Sequence, residues 1–228
     1  MYWDSTYILV IIGAIISMIA SWNVKRTFNN YSQVSNSQGF TAEGIAQRIL
    51  NSAGINDVRI ERISGNLTDH YSPTEKVLRL SDSVYGQTSV AALGVAAHEC
   101  GHAIQHKVGY SALKLRSVAV PLANFGSMLS WPIIIAGIAM SWAGLAQFGV
   151  ILFTFVVFFQ LITLPVEFNA SSRALEILEK DSILVGGELQ AAKKVLSAAA
   201  LTYVAALVST VLQLLRLILI VKGGARRR

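Results

Sequence analysis

The strongest constraint on this chain is the stretch 118–166, in which no side chain carries a charge. A helix needs about 20 apolar residues to cross the ~30 Å hydrocarbon core of a bilayer, so this stretch suits two crossings and not one. Ser141-Trp142-Ala143-Gly144 supplies the break between them, with an indole at the lipid–water interface where tryptophan is enriched. Pro121 and Pro132 fall in the first crossing and are expected to kink it. Residues 6–22 form another uncharged run of about the minimum spanning length. Only Asp4 precedes it with a charge, and Lys25 and Arg26 follow it. A signal peptide has the opposite arrangement, so the run is expected to be an uncleaved anchor. A last helix over 188–221 is apolar enough to cross from Val195 onward, with Gln213 and Arg216 placed late, where an arginine reaches the headgroups.

Charge clusters between Lys25 and Arg116 and between Glu167 and Lys194. The chain is 53% hydrophobic and 14% charged, against roughly 25% charged in soluble domains. The formal charge of +6 raises the question of nucleic acid. Its densest run, Arg226-Arg227-Arg228, flanks an apolar segment, and no basic patch is interleaved with aromatics. The expected partner of that charge is the lipid bilayer, not nucleic acid. Cys100 is the single cysteine, which excludes an intramolecular disulfide.

Five segments follow: an anchor (1–22), a polar insert (23–116), a two-span hairpin (117–166), a polar helix (167–194), and an apolar helix with a basic tail (195–228). Within the insert, 29–39 reads as a turn-rich linker. Thr41 caps a helix carrying Ile45, Ile49 and Leu50 on one face, and Gly54 ends it. Residues 58–63 and 76–80 read as strands, with Ser72-Pro73 in the turn between them. A helix is expected over 89–107.

That helix carries His98-Glu99-Cys100-Gly101-His102. Histidines four apart lie one turn from each other on one face, where both imidazoles can meet one zinc ion. A zinc with three protein ligands keeps a fourth position for water and lowers its pKa toward ~7. Glu99 is placed to act as general base for that water in peptide-bond hydrolysis. Two unliganded histidines and a glutamate on a buried helix would instead leave several polar groups without partners. Cys100 points away from the ion and reads as a small packing residue.

The third ligand must come from elsewhere. His106 lies eight residues after His98, two turns along and rotated by about 80°, and reads as a structural or surface residue. Gln105 and Ser111 stand where the longer metzincin pattern needs glycine and histidine. Glu167, in Leu164-Pro165-Val166-Glu167-Phe168-Asn169-Ala170-Ser171, is the stronger candidate. A carboxylate at the edge of an apolar span is costly unless it reaches water, is paired or binds metal.

HECGHAIQH, preceded by DHYSPTEKVLRLSDSVYGQTSVAALGVAAHE and followed by LPVEFNASSRALE, resembles the membrane-bound neutral zinc metallopeptidases of the YugP type. The resemblance runs through most of the chain. It implies a mostly α membrane protein with about four transmembrane helices and a zincin-like α+β domain made of a short sheet and the motif helix. It also implies Zn2+ held by His98, His102 and Glu167. More distantly the chain is similar to HtpX-like and CAAX prenyl proteases, whose E-x-x-x-D supplies a zinc ligand and an aspartate that orients another ligand. Here Ser171 takes that place, a hydroxyl that can orient a histidine but brings no charge.

The expected activity is a multi-pass, membrane-embedded zinc endopeptidase, gluzincin-like, acting on polypeptides such as membrane or misfolded proteins. The alternatives are a metal-dependent hydrolase of another amide or ester, and a non-catalytic scaffold with a structural zinc. Zincins of this architecture generally hold substrate as an added strand on a sheet edge, and residues 77–80 are the candidate edge, with a buried hairpin strand as the alternative. His70, Tyr71, Tyr85 and Arg173 are candidate donors to the developing oxyanion. Arg173 has the competing option of pairing with Glu176 on its own helix, and His70 that of a simple turn residue. Lys25, Arg26, Lys114 and Arg116 favour a site facing the cytoplasm of a bacterial cell membrane, against the pull of the basic tail.

Overall fold

A computed structural model describes residues 5–226; Asp4, Arg227 and Arg228 lie outside the described residues. The elements run α1 (Tyr7–Tyr31), α2 (Ala42–Ser52), β1 (Arg59–Ile63), β2 (His70–Ser72), β3 (Val77–Ser81), α3 (Val90–Lys107), α4 (Ser111–Ala139), α5 (Ala143–Lys180) and α6 (Gly187–Arg226). They divide into two compact units.

One unit comprises the described parts of residues 1–21, 114–165 and 201–228. Among the described residues, α1, α4, α5 and α6 are the helices long and apolar enough to cross a membrane. Much of their surface is exposed isoleucine, leucine, phenylalanine and methionine, including Ile8, Ile15, Leu122, Met128, Phe148 and Phe158. Such a face is stable in lipid and not in water. Without a hydrophobic drive between helices in lipid, close backbone approach at small residues has to hold them together. Gly137 supplies it near the α4–α5 turn, where a Cβ would collide with the backbone of Ala146. Ile134, Phe153 and Leu217 make a small buried cluster. Pro121 and Pro132 lie inside α4 and Pro165 inside α5 without ending either helix.

The other unit comprises residues 22–113 and 166–200. Its apolar core joins Ile45, Ile49 and Leu50 of α2, Leu78 and Leu80 of β3, Leu93, Ala96 and Cys100 of α3, and Leu178, Ile183 and Leu184. The Thr41 side chain accepts from Gly44 N at the start of α2, and Gly54 past its end has φ +66°, the left-handed conformation that glycine adopts without strain. Ser89 caps α3 by accepting from Ala92 N. The expected linker 29–39 is shorter than read, because α1 continues to Tyr31. Its remainder is pinned: Asn36 donates to the Thr88 carbonyl and accepts from Phe40 N.

The sheet has the order β1-β3-β2, with β3 parallel to β1 and antiparallel to β2. Two expectations are corrected here. Residues 77–80 belong to the central strand, with Val77, Leu78 and Arg79 paired on both sides, so the strand is the inner one and not the edge. His70 and Ser72 are not turn residues but the ends of β2, a strand too short and polar to show a period of two.

Candidate metal centre

The site lies within the second unit, where α3 crosses the part of α5 that follows Pro165. The crossing is set by Gly101, because a Cβ there would stand 2.6 Å from the Ala170 carbonyl oxygen and 3.1 Å from its Cα. Glu167 lies about one turn before Ala170 on α5, so this approach carries its carboxylate to the histidine face of α3. Glu167 Oε2 is 3.3 Å from His98 Nε2 and 3.5 Å from His102 Nε2. The three ligand atoms all fall within 4.8 Å of one another. A tetrahedral zinc with bonds of ~2.0–2.2 Å separates its ligands by roughly 3.3–3.6 Å. The donor set fits the ion. Glu167 is buried, its side chain 3% exposed, and an ionised carboxylate so placed needs a positive partner.

The outward nitrogens of both imidazoles are also bonded. Ser171 Oγ lies 3.1 Å from His98 Nδ1. His102 Nδ1 lies 3.0 Å from Gln105 Oε1. Gln105 is fully buried, and its Nε2 donates to the Val166 carbonyl at 2.8 Å and to Asn169 Oδ1 at 3.0 Å. Arg173 Nε donates to that same Asn169 oxygen at 2.8 Å. Arg173 thus bonds to Asn169 and not, as its spacing suggested, to Glu176. Gln105 and Asn169 went unrecognised in the sequence. A glutamine three residues past a candidate metal-binding histidine was the available signal, since that spacing returns to the same helix face.

Glu99 is buried, at 8% exposure. Burial works against the imidazolium of His102, but the bond to Glu167, the charges of Glu99 and Glu167, and Gln105 outweigh it and raise His102 above the ordinary histidine range. Burial also raises the Asp69 carboxyl, against two hydrogen bonds from Ser81 that lower it, and Glu99 adds to the rise.

The remaining candidates lie outside the cluster of three. His106 shares a 2.8 Å hydrogen bond with the Tyr71 hydroxyl. His70 Nδ1 contacts the Thr68 carbonyl and its Nε2 lies 3.5 Å from Arg79, so both nitrogens are engaged on the sheet. Tyr85 packs against the apolar core. Cys100 faces α2, its thiol donating to the Ala46 carbonyl, and burial pushes that thiol well up.

Residues 6–222 match the family described as "Putative neutral zinc metallopeptidase". The chain is 46% identical over 219 residues to "Putative membrane protease YugP" of Bacillus subtilis (strain 168), covering 96% of this chain and 97% of that protein. No solved structure gives a significant match. The chain belongs to the neutral zinc metallopeptidase family.

Proposed function

We propose that this family member is a membrane-embedded zinc endopeptidase in which His98, His102 and Glu167 hold the ion and Glu99 is the general base. The convergence of two Nε2 atoms and one buried carboxylate oxygen carries this reading. Bound zinc would polarise the scissile carbonyl and acidify water. Glu99 receives a proton as the water oxygen bonds to the carbonyl carbon. It returns that proton to the amide nitrogen as the C–N bond breaks, leaving a carboxylate and an amine. Glu167 and the imidazoles stay in place through the cycle, fixed by burial and by Ser171 and Gln105.

The substrate is a polypeptide, with membrane and misfolded proteins the expected class, and it enters as an added strand. β2 is an edge of the sheet that can receive it, and Tyr71 ties β2 to α3 through His106. The site faces the cytoplasm.

The test is Glu99→Gln in the full chain, assayed with casein and a membrane-protein substrate. Cleavage should fall about 10²–10⁴-fold while zinc stoichiometry is kept. Equal cleavage by both proteins removes the base. If wild type hydrolyses small esters but no peptide, the reading shifts to a hydrolase of another amide or ester. A metal-retaining protein inactive on both classes leaves only the structural-zinc scaffold.

A further inference from the structure

His98 and His102 both turn Nε2 toward Glu167, but their outward nitrogens meet different chemistry. Ser171 is a hydroxyl and can either donate to His98 Nδ1 or accept from it. The group behind His102 has no such freedom, and two independent anchors remove it. Arg173 Nε only donates, so the Asn169 atom it meets is an oxygen. The Val166 main-chain carbonyl only accepts. The Gln105 atom facing both of these acceptors must therefore be its amide nitrogen. The atom facing His102 must then be its carbonyl oxygen, which only accepts. In the neutral ring, His102 carries its hydrogen on Nδ1 and keeps the Nε2 lone pair free.

We propose that Gln105, oriented by Asn169–Arg173 and by the Val166 carbonyl, is the positioning residue that fixes His102 in its metal-binding tautomer. The inference rests on the zinc reading for its purpose and not for its hydrogen-bond logic. Gln105 comes from α3 and its anchors from α5, so one side chain ties the orientation of a ligand on one helix to the helix that delivers Glu167. Groups of this kind typically shift metal affinity by 10- to 100-fold.

The chain has four histidines, so ¹⁵N-histidine labelling yields four imidazoles to follow by NMR. The full chain in detergent would be studied at alkaline pH, without metal and then with added Zn2+, and the His102 signals assigned by their loss in His102→Gln. Wild type should show His102 protonated at Nδ1 before any metal is added. Gln105→Leu should lose that preference, leave the His98 signals in place and bind zinc 10- to 100-fold more weakly in a chelator competition. The tautomer is itself a readout that a purely packing role for Gln105 would not move. His102 protonated at Nε2 in wild type overturns the proposal even if Gln105→Leu fails to fold, and so does an unchanged tautomer in a folded Gln105→Leu. The zinc reading fails separately: added Zn2+ would then leave the Nε2 signals of His98 and His102 unmoved whatever the tautomer.

Discussion

At the proposed site a metal ion and a proton would compete for the Nε2 atom of His102, and that competition should govern how the protein responds to pH. In the metal-free protein, burial opposes the charged form of His102, but Glu167 and Glu99 outweigh it and raise its pKa in the folded state. A raised folded pKa contributes stability that is complete below the unfolded histidine value and is lost as pH rises through the folded one. Zinc requires neutral imidazole, so its contribution runs the other way. The gain in Tm on adding zinc should therefore be largest at about pH 8 and shrink steadily toward about pH 5, read by thermal unfolding with and without a chelator. A gain independent of pH would contradict a site built on histidine. Glu167→Ala should weaken zinc binding strongly in the same titration, since it deletes one of three ligands; unchanged affinity would remove Glu167 from the site. The His–Glu motif was legible because its spacing is local to one helix. Gln105 was not, because its partners Val166 and Asn169 are about sixty residues away and no local period encodes a helix crossing.

At the scale of elements, the site depends on how closely α3 approaches α5. A methyl group at Gly101 would have to push the Ala170 backbone aside, and backbone yields less readily than a side-chain tip. Gly101→Ala should cost about 1–3 kcal/mol of stability through overpacking. It should also weaken zinc binding at least tenfold, because the displaced segment carries Glu167. Gly94→Ala is the matched control: its added Cβ would lie 3.4 Å from the nearest atom, the Ala192 Cβ, and should change zinc affinity little. Equal affinities for wild type and Gly101→Ala, by chelator competition, would show that the crossing does not position the carboxylate. The helices and two of the strands were readable from caps, glycines and apolar runs. The place of β3 in the sheet was not, because an apolar strand reads alike at the centre or the edge when a neighbour as short as His70–Ser72 leaves no periodic trace.

For the whole molecule, four helices long and apolar enough to cross a membrane allow two orientations. An even number of crossings puts both termini on one side, and the segments joining α1 to α4 and α5 to α6 on the other, with the hairpin turn at Ser141 on the side of the termini. The positive-inside rule pulls in two directions. Lys25, Arg26, Lys114 and Arg116 flank the first two crossings on the site side, whereas Lys222 and Arg226 follow the last one. The turn between α4 and α5 carries no lysine or arginine, and charges around the first helices usually dominate orientation. The site side should therefore be cytoplasmic. The single cysteine makes this measurable, since Cys100 is fully buried and contributes little background. With a membrane-impermeant maleimide, Ser141→Cys should label in intact cells, and Asn66→Cys only after permeabilisation. The reverse pattern would place the site outside and assign dominance to the basic tail. Labelling of both positions in intact cells would mean that the number of crossings between residues 66 and 141 is even, which α4 as a single span does not allow.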